Sequence, residues 1–319
     1  MNRDWPAEAH AYALTLTRAI DDHGGVDLAR RAEASPDVRT QQITSLLTEV
    51  GLLDLDAFAS SDESAAAALA VKAAGSRLLP YPLTHVLSVT PDVRSQAGAV
   101  YLFIDRAHAF EHLDLVDSPA AVKLGTGELY SIEEFSPAGG TPLDPFGFVV
   151  DRVAKTSRVA DQCIPMHLVL DALWTCGALE TAVSAATSYA TARRQFGKPI
   201  GSYGEIRWRL ADMAVSRTGL DELARFTWWL VNSGRATEAD VLALRLAALE
   251  SASTILSNAH QVFGAIGLCE EHDMTIIDRH LQAALHRPTG TQRTVRLLSE
   301  AIARSGFSGL YDIAAQETR

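Results

Sequence analysis

Arg193-Arg194-Gln195-Phe196-Gly197-Lys198-Pro199-Ile200 stands between two long helical patterns and breaks the chain from one to the next. Gly197 supplies a left-handed cap, and Pro199 lacks the N–H that would carry the helical ladder onward. Upstream, residues 166–194 read as one helix. Downstream, 203–233, 237–265, 272–286 and 290–304 repeat the helical spacing with short links, which favours antiparallel neighbours in a bundle. Ser233-Gly234 marks one turn, and Thr237 with Glu238 and Asp240 gives the following helix a cap and an acidic first turn.

Before this bundle the texture differs. Short apolar or β-branched runs at Ala99 to Ile104, Ala121 to Leu124, Leu129 to Ile132 and Phe146 to Val150 alternate with turn clusters. These clusters are Gly125-Thr126-Gly127 and Pro137-Ala138-Gly139-Gly140. The pattern predicts a small antiparallel β unit. Earlier still, Trp5-Pro6 opens a helix carrying Leu14, Leu16 and Ile20 and ending at Gly24-Gly25. Thr40 to Leu53 forms a second helix stopped at Gly51, Ala65 to Ala74 forms a third, and Pro80 and Pro82 close the region. The expected organisation is therefore mainly α: an N-terminal helical domain (1–82), a reduced middle β domain (83–160) and a C-terminal helical bundle (161–319).

With 28 Lys and Arg against 39 Asp and Glu, the chain of 319 residues carries a formal charge of −11, which argues against nucleic acid as a partner. Hydrophobic residues at 47% and charged ones at 21% fit a folded globular protein. Cys163, Cys176 and Cys269 are widely spaced and form no C-x-x-C pair, so neither a disulfide framework nor a zinc site is indicated. The start Met1-Asn2-Arg3-Asp4-Trp5-Pro6 has no apolar leader, and no run reaches the ~18 consecutive apolar residues of a membrane span. A cytoplasmic protein without a membrane partner is expected.

No phosphate loop, nucleophile elbow or zinc-binding helix is present. Longer patterns are more specific. Tyr189 to Ile200, then Leu210-Ala211-Asp212-Met213, then Gln261-Val262-Phe263-Gly264-Ala265-Ile266-Gly267 together resemble the C-terminal helical domain of the acyl-CoA dehydrogenase family. The order of helices, strands and helices agrees with that family along the chain. The resemblance implies that Arg193, Gln195, Phe196, Gln261, Gly264 and Gly267 reach the ADP part of an FAD held by a neighbouring subunit. Arginine can clamp a pyrophosphate and glycine admits close backbone approach. The plainer reading is that Arg193 caps a helix, Phe196 fills core and the glycines only turn the chain.

Where the family keeps a glutamate to remove the α proton, this chain departs from it. The loop Leu285-His286-Arg287-Pro288-Thr289-Gly290-Thr291-Gln292 places Thr289 before Gly290, and the other family position falls near His167 in Pro165-Met166-His167-Leu168. Neither holds an acid. The segments that seat the flavin ring in full members have no counterpart, and Gly204 stands where many members place a glutamine. Tyr203 and Arg207 are the candidates to substitute for it. The resemblance is thus to the smaller subunit of heteromeric steroid-type acyl-CoA dehydrogenases. It implies FAD shared with a larger homologous subunit in an α2β2 assembly, the acyl-CoA seated mainly in that partner, a steroid side-chain thioester as substrate, and an electron acceptor. Two other readings compete: a structural partner that has lost FAD, and a homomeric flavoenzyme using His167 or Asp278 as base. His167 itself reads more simply as a packed histidine, Glu270-Glu271-His272-Asp273 as a helix junction, and Trp228-Trp229 as helix packing.

Overall fold

The computed structural model describes residues 4–139 and 143–305. The expected features at Met1 to Arg3 and at Gly140 lie outside them. Helices α1 (Ala7–Asp22), α2 (Asp27–Ala34), α3 (Thr44–Glu49), α4 (Ser61–Ser76) and α5 (Leu83–Leu87) come first. The single helix expected over Thr40 to Leu53 is instead a π-helical turn, Val38–Ile43, running into α3, with Gly51 at φ +68° beyond its end. Ser60 caps α4, its hydroxyl accepting from the Glu63 N–H at 3.1 Å.

Strands β1 (Ala99–Phe103), β2 (Ala109–Glu111), β3 (Pro119–Lys123), β4 (Glu128–Pro137) and β5 (Gly147–Val159) form one sheet in the order β1-β3-β4-β5-β2. The expectation of an antiparallel unit needs correction, because β1 pairs parallel with β3 while the other pairings are antiparallel. The chain leaves β1 to form β2 at the far edge and returns alongside β1, a crossover that no local pattern announces. In β1, Val100 and Leu102 enter one apolar cluster and Ala99, Tyr101 and Phe103 another, so both sheet faces are covered. That is why the run is continuously apolar rather than alternating. Pro137 is tolerated within β4 because pairing to β3 stops at Ser131, leaving that side without a ladder.

The bundle comprises α6 (Cys163–Ala192), α7 (Gly204–Asn232), α8 (Glu238–Phe263), α9 (Asp273–His286) and α10 (Thr291–Ser305). A short hairpin, β6 (Arg194–Gln195) and β7 (Lys198–Pro199), joins α6 to α7, and a 3₁₀ turn, Gly264–Leu268, follows α8. Thr237 and Asp240 make a reciprocal capping box at the start of α8. Among the described residues α6 alone is long and apolar enough to cross a membrane, yet it packs as the central helix against α4, α7 and α8.

The α4–α6 contact rests on two glycines. A Cβ on Gly177 would stand 2.0 Å from the Lys72 carbonyl oxygen, and one on Gly75 would stand 2.1 Å from that of Trp174. In an open helix, Gly→Ala gains about 1 kcal/mol. Here backbone blocks the methyl, so overpacking at the upper end of the usual ~1–3 kcal/mol outweighs that gain. Gly177→Ala is expected to lower the urea midpoint; a raised midpoint would contradict this contact.

Candidate functional site

Residues implicated in nucleotide contact gather at one end of the bundle. Arg193 closes α6, its N–H donating to the Tyr189 carbonyl at 2.8 Å and its own carbonyl accepting from the Ile200 N–H at 2.8 Å. Arg194 then pairs with Pro199 and Gln195 with Lys198, leaving Phe196 (φ +49°) and Gly197 (φ +82°) as the two turn residues. A two-residue hairpin turn needs left-handed backbone at both positions; glycine adopts it freely and phenylalanine does so against its steric preference. The expectation that Phe196 fills core fails: its ring is 93% exposed. Support comes from Tyr203, whose hydroxyl donates to the Gln195 carbonyl at 3.1 Å and whose ring lies 4.3 Å from the Lys198 ammonium. The hairpin holds this aromatic outward at a conformational cost.

The end of α8 lies beside this hairpin. Tyr189 and Phe263 stack at 5.0 Å, and Arg209 of α7 donates to the Asn258 side chain at 2.9 Å. Gln261 is exposed, and Gly264, at φ +64° with nothing within 4 Å of a would-be Cβ, leaves backbone open to approach. Gly267 differs: it is buried, and a Cβ there would meet Phe263 at 2.8 Å, so its smallness serves packing. Hence Arg193, Gln195, Phe196, Gln261 and Gly264 form an exposed group, while Gly267 supports it from within. Arginine, amide and open backbone suit a phosphorylated nucleotide. The group is a surface, not an enclosed cleft. Gly204 offers nothing there, and Tyr203 is engaged by Gln195.

A second site lies at the junction of α5, the sheet and the bundle, a cleft lined in part by Tyr81, His85, Glu111, Asp144, Asp171 and Trp174. Both family positions for the base border its polar network. His167 is buried, its Nδ1 within 3.1 Å of the Ser88 hydroxyl and its ring 4.9 Å from that of His85. The Thr289 carbonyl accepts from Arg245 at 3.1 Å. Glu111 accepts from Arg287 at 2.5 Å and lies 3.0 Å from His85 Nε2, and Arg287 also binds Asp144. Arg245 binds Asp171 at 2.6 Å, and Arg39 binds Asp114 through both nitrogens at 2.9 and 2.7 Å. Burial would raise the Glu111 carboxyl, but Arg287, His85 and His112 outweigh it and hold the group well below the usual range. Burial pushes His112 and His167 well below theirs, helped by Arg39 beside the first and His85 beside the second.

Glu111 and Asp171 are therefore both locked in ion pairs. Asp278 is likewise engaged, by His260 at 3.1 Å and Gln282 at 2.7 Å. Sequence reasoning missed Glu111, His85, Arg287, Arg245 and Asp171. A signal existed for two of them: Asp171 in Val169-Leu170-Asp171-Ala172 and Arg245 in Leu244-Arg245-Leu246 are charges embedded in buried helical runs. Among the described residues no cluster of His, Cys, Asp and Glu is arranged to hold a metal ion. His272 caps α9 through the Met274 N–H, and Trp228 packs on Trp5 while donating to the Ser64 hydroxyl, both as the simpler readings expect.

Residues 166–291 match the family described as acyl-CoA dehydrogenase, C-terminal domain, and the fold of the chain is similar to that of acyl-CoA dehydrogenases of known structure. It is 26% identical to acyl-CoA dehydrogenase IpdE2 of Mycobacterium tuberculosis over 94% of this chain and 99% of that one. Its fold is similar to the ChsE4–ChsE5 complex of Mycobacterium tuberculosis, with a TM-score of 0.81, 15% identity and coverage of 96% of this chain and 100% of that chain. A Tcur3481–Tcur3483 steroid acyl-CoA dehydrogenase variant gives 0.77 at 14% identity, covering 94% and 99%.

Proposed function

We propose that this chain is the smaller subunit of a heteromeric, FAD-dependent acyl-CoA dehydrogenase, and that it grips the nucleotide end of a flavin seated in a larger homologous chain. The carrying observation is the pairing of an exposed Arg193, Phe196 and Gln261 group with a cleft whose only nearby carboxylates are bound by arginines. The names of two solved neighbours each pair two chains, and one of them is a steroid enzyme, which supports a heteromeric assembly; within this reading the substrate is a steroid side-chain CoA thioester and the assembly α2β2. When bound, FAD supplies the hydride acceptor for α,β-desaturation. This chain's part is binding: Arg193 offers paired donors to a pyrophosphate, Gln261 offers an amide, and Phe196 covers an aromatic edge. The α-proton base belongs to the partner.

Expressed alone, the chain should be colourless and inactive. Co-expressed with a full-length acyl-CoA dehydrogenase of its own organism that pairs with it, it should give a yellow complex whose flavin content falls at least severalfold after Arg193→Ala with Gln261→Ala. Flavin retention unchanged in that double variant, or a yellow, active homomer, would refute the assignment.

A further inference from the structure

Four cations around the hairpin between α6 and α7 stand without a counter-ion. Arg193, Arg194, Lys198 and Arg207 are exposed and, among the described residues, enter no ion pair. The chain has an excess of carboxylates, with a formal charge of −11, yet none pairs with these four. Glu205, the acid in the first turn of α7, is taken by Arg209 at 2.7 Å. Like charges gathered in one place repel one another, and an anion bound among them relieves that repulsion.

Arg207 has no other task. The Lys198 ammonium lies over the Tyr203 ring at 4.3 Å, whereas the Arg207 side chain makes no such contact among the described residues. Its neighbours along the helix are Tyr203, Gly204, Leu210 and Ala211, none of them an acid. Side chains on a helix lean toward its N-terminus, so Arg207 is directed back over the first turn of α7, toward Tyr203 and Gly204. Tyr203 is itself docked on the hairpin through the Gln195 carbonyl. Gly204 is exposed, and a Cβ there would have nothing within 4 Å, so the way across it to the hairpin is open to a long side chain. The Arg193 carbonyl accepts from the Ile200 N–H at 2.8 Å, which brings the end of α6 and the approach to α7 together at the base of the hairpin.

We propose that Arg207 grips the pyrophosphate of the flavin nucleotide from the α7 side of the hairpin while Arg193 grips it from the α6 side; this rests on the reading that the hairpin receives that nucleotide. A pyrophosphate presents two anionic groups, and a guanidinium fork can take each of them with paired donors. Arg207 is thus a binding residue, and the bare backbone at Gly204 is what gives it reach.

The test measures FAD binding by the complex of this chain with a full-length acyl-CoA dehydrogenase of its own organism that pairs with it. FAD is stripped from the complex and titrated back, with flavin fluorescence as the readout, at low and at high salt. Arg207→Ala is expected to weaken FAD binding at least about tenfold and to flatten its salt dependence, and Arg207→Lys, which keeps the charge and loses the fork, to fall between. Gly204→Glu gives Arg207 a carboxylate one turn back, where an acid also favours a helix N-terminus; it should weaken FAD binding while the urea midpoint of the chain stays level or rises. Arg158→Ala removes an exposed cation from β5 and, as the control, should leave FAD binding unchanged. FAD binding kept by Arg207→Ala and lost by Arg193→Ala overturns this inference and leaves the flavin reading standing. FAD binding kept by both overturns the two together. A complex that no longer forms with Arg207→Ala, or an equal loss with Arg158→Ala, also overturns the inference, because the cation would then serve subunit pairing or net charge alone.

Discussion

Arg245→Met is expected to cost about 3–5 kcal/mol of unfolding free energy, the penalty for breaking a buried ion pair by removing one partner. The Arg245 side chain is 2% exposed. One guanidinium nitrogen donates to Asp171 at 2.6 Å, and the other reaches the carbonyls of Ala284, Leu285, Arg287 and Thr289 at 2.8, 3.1, 2.8 and 3.1 Å. These carbonyls belong to the end of α9 and the loop leading to α10, so a single side chain gathers the loop that holds the family position of the base. Removal leaves a buried carboxylate without a counter-ion and several carbonyls without donors. Against a total stability of about 5–15 kcal/mol, such a loss approaches unfolding. Arg245→Lys keeps the charge, but its compact ammonium cannot span Asp171 and the carbonyl cluster together, so most of the loss should remain. Urea unfolding of both variants checks this. A Met variant within about 1 kcal/mol of the parent would show that the clamp is dispensable.

Acidification should weaken the protein in two stages. His112 and His167 are held neutral well below their ordinary range. As pH falls below about 6.5, the unfolded chain takes up protons that the folded chain resists, and each such histidine removes roughly 1.4 kcal/mol per pH unit until its folded value is reached. Both together give a slope of about 2.7 kcal/mol per unit. Glu111 acts in the same direction at lower pH: its carboxyl is depressed in the folded state, so its contribution is present above about 4.3 and is lost as pH falls toward the folded value. The groups facing these sites are Arg39, His85, His280 and Arg245 with Glu111 itself, and the arginines keep their charge throughout. Urea midpoints at pH 7.5, 6.0 and 5.0 should fall steadily, and His167→Gln should roughly halve the slope between 6.5 and 5. A flat profile over that interval would rule out the buried neutral histidines.

The helical bundle was legible because its signals are local. The expected segments 203–233 and 272–286 meet α7 and α9 within a residue or two, since helical spacing, the Thr237 cap and the Ser233-Gly234 turn all act over a few residues. The exposed group of Arg193, Phe196 and Gln261 was reachable for a related reason: the Gln-Phe-Gly element is contiguous in the chain. The ring at position 196 was nevertheless expected inside as the simpler alternative, because an apolar side chain carries no mark of its hairpin's orientation. Strand β2 was missed, since its three residues, Ala109-Phe110-Glu111, are too few to show a period.

Order along the chain, helix limits and the hairpin break follow from short-range chemistry, and the amino acids declare them without help. Long-range pairing is another matter. Glu111 and Arg287 stand 176 positions apart, and Arg39 and Asp114 stand 75 apart. No composition or spacing announces that they meet. Their partnership and the parallel entry of β1 beside β3 arise only when the chain closes on itself. Burial then compels each charge to find its opposite.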